Sequence, residues 1–171
     1  MRKNYQRGFS LVELMMSFVI IGIFTAAVFV GYNQTNAASR IATETKNLNS
    51  LQSAVRGLFN SQGSYNGLTN QITRTSNLFP EDMLNPSDTT KIRHSWSPDG
   101  VDLTPITYQG QADQAFMIQY KDVPQKECVD LAKTVYPFFL ATRVNSTPVT
   151  SVPLASTACN AAFNTLEFDA R

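Results

Sequence analysis

A nearly continuous apolar run near the start of the chain constrains its fold more than any other feature. Residues 9–30 read FSLVELMMSFVIIGIFTAAVFV, and about 20 such residues are enough to cross the hydrocarbon core of a bilayer. The run carries one carboxylate, Glu13, and no charged side chain occurs between Glu13 and Arg40. Because a charge in hydrocarbon costs roughly 3 kcal/mol, this acid needs either a partner or a place near the membrane surface.

The residues that precede the apolar run predict its orientation. Arg2, Lys3 and Arg7 stand there without any acidic residue among them. Basic flanks of a membrane helix stay on the cytoplasmic side, so we expect the chain from Tyr32 onward to lie outside the cytoplasm. The 171 residues carry a net charge of +1 with no basic stripe, so the composition gives no indication of contact with nucleic acid.

The apolar run continues into an amphipathic segment. Apolar residues recur there at offsets of three, four or seven, the spacing of one helix face: Ile41, Leu48, Leu51, Val55 and Leu58. No proline interrupts the segment, and the glycines and small polar residues of SQGSYNG end the pattern. The sequence therefore predicts one helix over residues 10–60, apolar all round in its first half and on one face in its second.

Beyond this helix the pattern predicts an irregular region and then a small sheet. Residues 65–100 are rich in turn signals, with a short helical turn beginning at Pro80 and a turn at SPDG. The segments VDLTPITY, AFMIQY, FFLATRV and NTLEF read as strands, whereas PQKECVDLAKTVY reads as an amphipathic helix. Strands that follow a long helix predict an α+β fold, with the helix packed on one face of an antiparallel sheet.

The two cysteines, Cys128 and Cys159, fit an oxidising compartment. An even pair there most simply forms one disulfide, which would stabilise the fold by roughly 3–4 kcal/mol, although two unpaired buried thiols are the alternative. Neither cysteine belongs to a CxxC motif, and His94 is the single histidine. With no nucleophile beside a base and no cluster of ligands, we expect neither enzyme activity nor a cofactor nor a metal.

The start of the chain resembles the type IV prepilin signal. The octapeptide MRKNYQRG ends in Gly8, Phe9 opens the apolar segment, and Glu13 is the fifth residue of that segment. This signal is shared by type IV pilins and the pseudopilins of type II secretion. The resemblance implies that a prepilin peptidase cuts between Gly8 and Phe9 and then N-methylates Phe9. The alternative is an ordinary signal peptide, which would be cut after the apolar run.

The resemblance also implies a partner for the acid. In the family, Glu13 would pair with the new N-terminal amine of a neighbouring subunit, on Phe9, when apolar helices assemble into a filament. Paired charges cost much less in apolar surroundings than a lone carboxylate. The alternative is a glutamate at the membrane interface that reaches toward lipid headgroups.

On this resemblance the chain divides into four parts. These are a leader peptide (1–8), a membrane-spanning and filament-core half of the helix (9–31), its amphipathic half (32–60), and a globular domain (61–171) with a disulfide-bounded region (128–159). The region after the helix resembles type IVb pilins, whereas the short leader and Phe9 resemble the type IVa subclass.

The function that the resemblance implies is that of a structural subunit of a type IV pilus. Such a subunit waits in the bacterial inner membrane with its domain in the periplasm, until inner-membrane assembly machinery moves it into an extracellular homopolymer. The pilus would serve adhesion, aggregation, motility or conjugation. The alternatives are a type II secretion pseudopilin and a monomeric, membrane-anchored binding module.

Two surface features each allow two interpretations. Asn145, Ser146 and Thr147 form a triplet of the kind that accepts N-linked glycans, although such triplets often arise by chance. Tyr65, Phe79 and Trp96 are aromatic residues of the irregular region, where they could form an adhesive patch or pack into the core.

Overall fold

The computed structural model describes residues 10–88 and 91–171, apart from the side chains of residues 30, 31, 33 and 34. The chain divides into two compact units, Met1–Ser39 and Arg40–Arg171. In the described residues the first unit is helical, whereas the second contains the strands and the remaining helices.

The long helix α1 spans Leu11–Phe59. At its start the Ser10 hydroxyl accepts a hydrogen bond from the Glu13 backbone N–H over 3.3 Å, as a capping serine does. After its end Gly63 adopts a left-handed φ of +69°, and the Gly63 N–H donates to the Phe59 carbonyl over 3.3 Å. The predicted single helix is confirmed, and both of its ends lie within a residue of the prediction.

The second unit is built on one antiparallel sheet. Its five strands are β1 (Val101–Tyr108), β2 (Gln111–Pro124), β3 (Ala141–Val144), β4 (Thr147–Pro148) and β5 (Phe163–Ala170). Their spatial order is β1-β2-β5-β3-β4, so the last strand of the five lies in the middle of the sheet. Together with α1 this sheet confirms the predicted α+β fold.

Three short helices and two 3₁₀ turns complete the described part of the second unit. They are α2 (Asn70–Thr75), α3 (Gln125–Val135), α4 (Val152–Ala158) and the turns Glu81–Met83 and Tyr136–Phe138. The helix around Cys128 and the turn beginning at Pro80 are confirmed, whereas α2, α4 and β4 were not predicted. The strand predicted for FFLATRV is wrong in its first half: Pro137 favours the start of a 3₁₀ turn, and β3 begins only at Ala141.

The second half of α1 packs its apolar face into the core of the domain. Fully buried side chains of the helix join those of β2 in one cluster: Leu48, Leu51, Val55, Phe116 and Ile118. At the last turn the prediction is wrong by one position, because Phe59 is buried and Leu58 is more than one-third exposed. The amphipathic pattern is otherwise confirmed.

The predicted disulfide is confirmed. Cys128 on α3 is bonded to Cys159, which follows α4, with 6.0 Å between their Cα atoms. Both residues are fully buried. The Gln125 side chain donates to the Cys159 carbonyl over 3.0 Å. The disulfide and this hydrogen bond therefore both connect α3 to Cys159.

Candidate functional site

The first unit presents an apolar surface that covers the whole circumference of the helix. Residues Leu11–Phe29 are long and apolar enough to cross a membrane, with a mean hydropathy of 2.3. Large apolar side chains in this segment are 50–77% exposed: Leu11, Val12, Leu14, Met15, Met16, Phe18, Val19, Ile20, Ile21, Ile23, Phe24, Val28 and Phe29. A surface of this size in a folded protein indicates contact with lipid or with other protein.

The hydroxyl groups of this segment are satisfied locally, whereas its carboxylate is not. Ser17 Oγ donates to the Glu13 carbonyl and Thr25 Oγ1 donates to the Ile21 carbonyl, each over 2.8 Å. These bonds allow hydroxyls to enter an apolar environment without unmet hydrogen bonds. The Glu13 carboxylate is exposed and has no hydrogen-bond or ionic partner in the described part of the chain.

The other predicted residues of the prepilin signal lie outside the described residues. Gly8, at the predicted cut, and Phe9, at the predicted methylation site, both belong to residues 1–9, which the structure does not describe. The expected pairing of Glu13 with an amine of a second subunit therefore remains a prediction.

A buried carboxylate in the second unit has a full set of donors. Glu44 on α1 is only 2% exposed. Its Oε1 accepts from the Ser95 backbone N–H over 2.7 Å and from the Ser95 hydroxyl over 2.5 Å, and its Oε2 accepts from the Tyr120 hydroxyl over 3.2 Å. Burial first, and then the Glu44 carboxylate, raise the pKa of Tyr120 well above its ordinary value, which keeps the phenol protonated as a donor.

A buried histidine, His94, packs against the ring of Tyr120, whose hydroxyl donates to Glu44. His94 is 4% exposed and stacks on the Tyr120 ring, with 4.8 Å between the ring centroids and 5° between the planes. Its Nδ1 accepts from the backbone N–H groups of Trp96 (3.1 Å) and Ser97 (3.3 Å), so Nε2 carries the proton and donates to the Lys121 carbonyl over 2.7 Å. Burial lowers the pKa of His94, which keeps the ring neutral.

The Glu44 cluster, defined as Glu44, His94, Ser95 and Tyr120, joins α1 to the 94–97 turn and to β2 within the second unit. It fixes the position of the helix on the sheet, because a shift of one helical turn would leave a buried charge without donors. Sequence reasoning missed it, although one signal was available: Glu44 falls on the apolar face, three residues after Ile41 and four before Leu48. In the described residues no group of three or more His, Cys, Asp or Glu is placed to hold a metal ion.

The proposed glycan acceptor is occupied by internal hydrogen bonds. Asn145 Nδ2 donates to Asn164 Oδ1 over 2.8 Å and to the Ala158 carbonyl over 3.2 Å, while Asn145 Oδ1 accepts from the Thr165 N–H over 3.0 Å. Asn145 and Ser146 both have positive φ and form the tight turn between β3 and β4, whereas Thr147 is the first residue of β4. The Asn145 side chain thus braces this turn against β5, which argues against its modification.

The aromatic residues of the irregular region pack inward. The Tyr65 ring lies 5.7 Å from that of Phe59 and 4.7 Å from that of Phe116, measured between centroids. Phe79 is buried, and Trp96 packs against the core with its ring 5.5 Å from that of His94. The packing interpretation is confirmed for all three residues, and the adhesive patch is not.

An apolar helix that continues into a disulfide-closed α+β domain defines the type IV pilin class. Solved structures with this fold include the type IV pilin TcpA from Vibrio cholerae El Tor biotype, with a TM-score of 0.60 and 15% identity over 78% of this chain and 99% of that one. A type IVb pilin from Salmonella typhi gives a TM-score of 0.59 and 20% identity over 76% of this chain and 99% of that one.

Family models cover almost the whole sequence. The model described as PilS N terminal matches residues 38–169, and the prokaryotic N-terminal methylation motif matches residues 3–29. The chain belongs to the PilS family. This result agrees with the type IVb-like body expected from the sequence.

The chain is also similar to the major structural subunit of the bundle-forming pilus from Escherichia coli O127:H6 (strain E2348/69 / EPEC). The two are 26% identical over 132 residues, which make up 77% of this chain and 66% of that protein. The corresponding subunit from Escherichia coli O111:H- gives the same values. The chain thus spans just under two thirds of the length of these relatives.

Proposed function

We propose that this chain is a structural subunit of a type IV pilus that polymerises through its N-terminal helix. The observation that carries the proposal is the helix surface of Leu11–Phe29, which is apolar on every side and contains a single carboxylate without a partner. The methylation motif and the similarity to a subunit of the bundle-forming pilus support the same assignment.

Processing creates the partner that Glu13 lacks. Residues 1–8 act as a leader that the prepilin peptidase removes, and the amine that it exposes on Phe9 is methylated. In the filament core, made of residues 9–31, this amine pairs with Glu13 of a neighbouring subunit. A subunit docked out of register leaves a charge buried without a partner, which costs roughly 3–5 kcal/mol, so the pair selects one stagger of the helices.

The remaining parts have complementary roles. Residues 32–60 form the amphipathic half of the helix, which leads to the globular domain of residues 61–171. The disulfide closes the region 128–159 on the surface of this domain. Before assembly the subunit is stored in the inner membrane with its domain in the periplasm. The pilus machinery then transfers it to an extracellular homopolymer, which serves adhesion, aggregation, motility or conjugation.

Mass spectrometry of the mature N-terminus tests the processing step. We expect a chain that begins at Phe9 and carries one added methyl group. A mature chain that retains Met1 would indicate an anchored module that is never assembled, and a cut after the apolar run would indicate an ordinary signal peptide. Either result would refute the proposal.

The role of Glu13 is tested by Glu13→Val and Glu13→Gln. Both variants should be cut and inserted in the membrane, but surface filaments stained with antibody to the domain should be lost. Ser17→Ala, one turn further along the helix, is the matched control and should assemble normally. Normal filaments from Glu13→Val would contradict the pairing, whereas a wild-type chain that is processed without making surface filaments would indicate a pseudopilin.

A further inference from the structure

We infer that the side chain of Asn70 closes the outer edge of the sheet against pairing with a second copy of the chain. The edge in question is that of β1, which pairs with β2 on one side and, among the described residues, with no strand on the other. An exposed edge strand of eight residues presents a row of unpaired N–H and C=O groups, to which another strand can add. The inference goes beyond assembly through the helix, because it concerns a contact that the fold prevents.

Asn70 binds this edge as a neighbouring strand would. Its Oδ1 accepts from the Leu103 N–H over 2.8 Å, and its Nδ2 donates to the Val101 carbonyl over 2.9 Å. Nδ2 also lies 3.1 Å from Asp102 Oδ1, a contact that fixes the amide orientation. One side-chain amide therefore satisfies a donor and an acceptor on alternate residues of β1, which is the ladder pattern of a paired strand.

The other outward-facing donors in the first five residues of β1 are also used or absent. In a strand the N–H and C=O groups of alternate residues point to the same side, so Val101, Leu103 and Pro105 share the outer edge. The Val101 N–H donates to the Ile92 carbonyl over 3.2 Å, and Pro105 has no N–H. From Val101 to Pro105, each outward N–H is thus used or absent. The Leu103 N–H alone is bonded to a side chain, that of Asn70, so a single side-chain substitution can free it.

The local chain holds Asn70 in place. It is the first residue of α2, whose preceding Thr69 hydroxyl accepts from the Ile72 N–H over 3.3 Å. Thr73 on the same helix is fully buried and its hydroxyl donates to the Thr69 carbonyl over 2.9 Å. The opposite edge of the sheet needs no such residue, because β4 has only two residues and one of them is Pro148.

The test compares Asn70→Ala with Gln71→Ala in the full-length chain in detergent micelles. Gln71 is the exposed neighbour of Asn70 on α2, so its variant controls for changes in the helix. Hydrogen exchange of the Leu103 amide should become about 3- to 10-fold faster in Asn70→Ala, the equivalent of losing one neutral hydrogen bond, and should not change in Gln71→Ala. Asn70→Ala should also form larger, thioflavin-positive species at concentrations where the control does not.

A second variant separates edge pairing from simple destabilisation. Thr104 is exposed on β1, and a lysine on an edge strand opposes strand addition. The double variant Asn70→Ala with Thr104→Lys should return to the association state of wild type while its Leu103 amide still exchanges fast. Unchanged Leu103 exchange in Asn70→Ala, or association that Thr104→Lys does not reduce, would overturn the inference. Neither readout requires pilus assembly, so the result is independent of the proposed function.

Discussion

The Glu44 cluster offers the sharpest test of how the domain holds its helix. Glu44→Leu removes the acceptor of the buried Tyr120 hydroxyl and of the Ser95 N–H and hydroxyl, while it keeps most of the side-chain volume. Each donor left without a partner costs about 1–3 kcal/mol. We therefore expect the free energy of unfolding to fall by about 2–4 kcal/mol. This is less than the sum over the three donors, because water can reach the exposed Ser95 and because leucine adds apolar burial.

Tyr120→Phe perturbs the same contact from the other side. It deletes one hydrogen bond to a carboxylate and should cost about 1.5–3 kcal/mol. In the double variant the hydroxyl that Glu44→Leu alone leaves without an acceptor is absent, and only the Ser95 donors lack Glu44. Its cost should therefore be smaller than the sum of the two single costs by about 1–2 kcal/mol.

The assay is urea unfolding of the full-length chain in detergent micelles, followed by near-ultraviolet circular dichroism of the domain aromatics. Glu81→Leu is the control, because Glu81 is an exposed carboxylate in a 3₁₀ turn and its loss should change stability by no more than about 0.5 kcal/mol. Additive costs, with a coupling below about 0.5 kcal/mol, would show that Glu44 and Tyr120 do not act as a pair and would refute the reasoning.

Three further predictions follow from individual contacts. Burial lowers the pKa of His94 in the folded chain, so the unfolded chain gains this proton at a higher pH than the folded chain does as the pH falls below about 6.5. Stability should therefore decrease toward acid, and His94→Gln should reduce that slope in melting curves taken between pH 7 and 5. Gly100→Ala should lower the melting temperature, because a Cβ there would lie 2.2 Å from His94 Nε2. The control Gly57→Ala on α1 places a Cβ that meets nothing within 4 Å, and it should stabilise the helix by about 0.5–1 kcal/mol. Equal melting temperatures for the two variants would contradict this prediction. Arg143 binds Asp169 through its two terminal guanidinium nitrogens, Nη1 and Nη2, at 2.7 and 2.8 Å. Arg143→Lys should therefore cost about 1–3 kcal/mol in urea unfolding, and no loss would mean that the fork geometry contributes nothing.

Much of the fold is predictable because its strongest signals are local. The apolar run, the helical spacing that follows it and the small residues after Phe59 are enough to predict α1. Alternation likewise predicts β1, β2 and β5, and a pair of cysteines in an exported domain predicts the disulfide. The helix and strand signals depend on neighbouring residues, so a single sequence contains them in full, whereas the disulfide is predictable because the chain has only two cysteines.

The features that sequence reasoning missed depend on contacts between distant residues. Glu44 contacts Ser95 and Tyr120, which lie 51 and 76 positions further along the chain. The residues next to Glu44 in the sequence do not indicate which distant residues it will contact. The helices α2 and α4, with six and seven residues, are too short to show a period and depend on packing instead. Strand order is likewise hidden, because β5 pairs with β2 and β3 rather than with its nearest predecessor, β4.

The central place of β5 has a consequence for how the domain is made. Until this strand arrives, β2 and β3 have no common partner, so the two parts of the sheet cannot join. Pairing that depends on distant segments is slow, since loop closure must precede any gain from contacts. Joining of the two parts of the sheet is therefore a late event in folding, and a chain that is cut short before residue 163 would present the unpaired edges of β2 and β3 to proteases instead of a closed sheet.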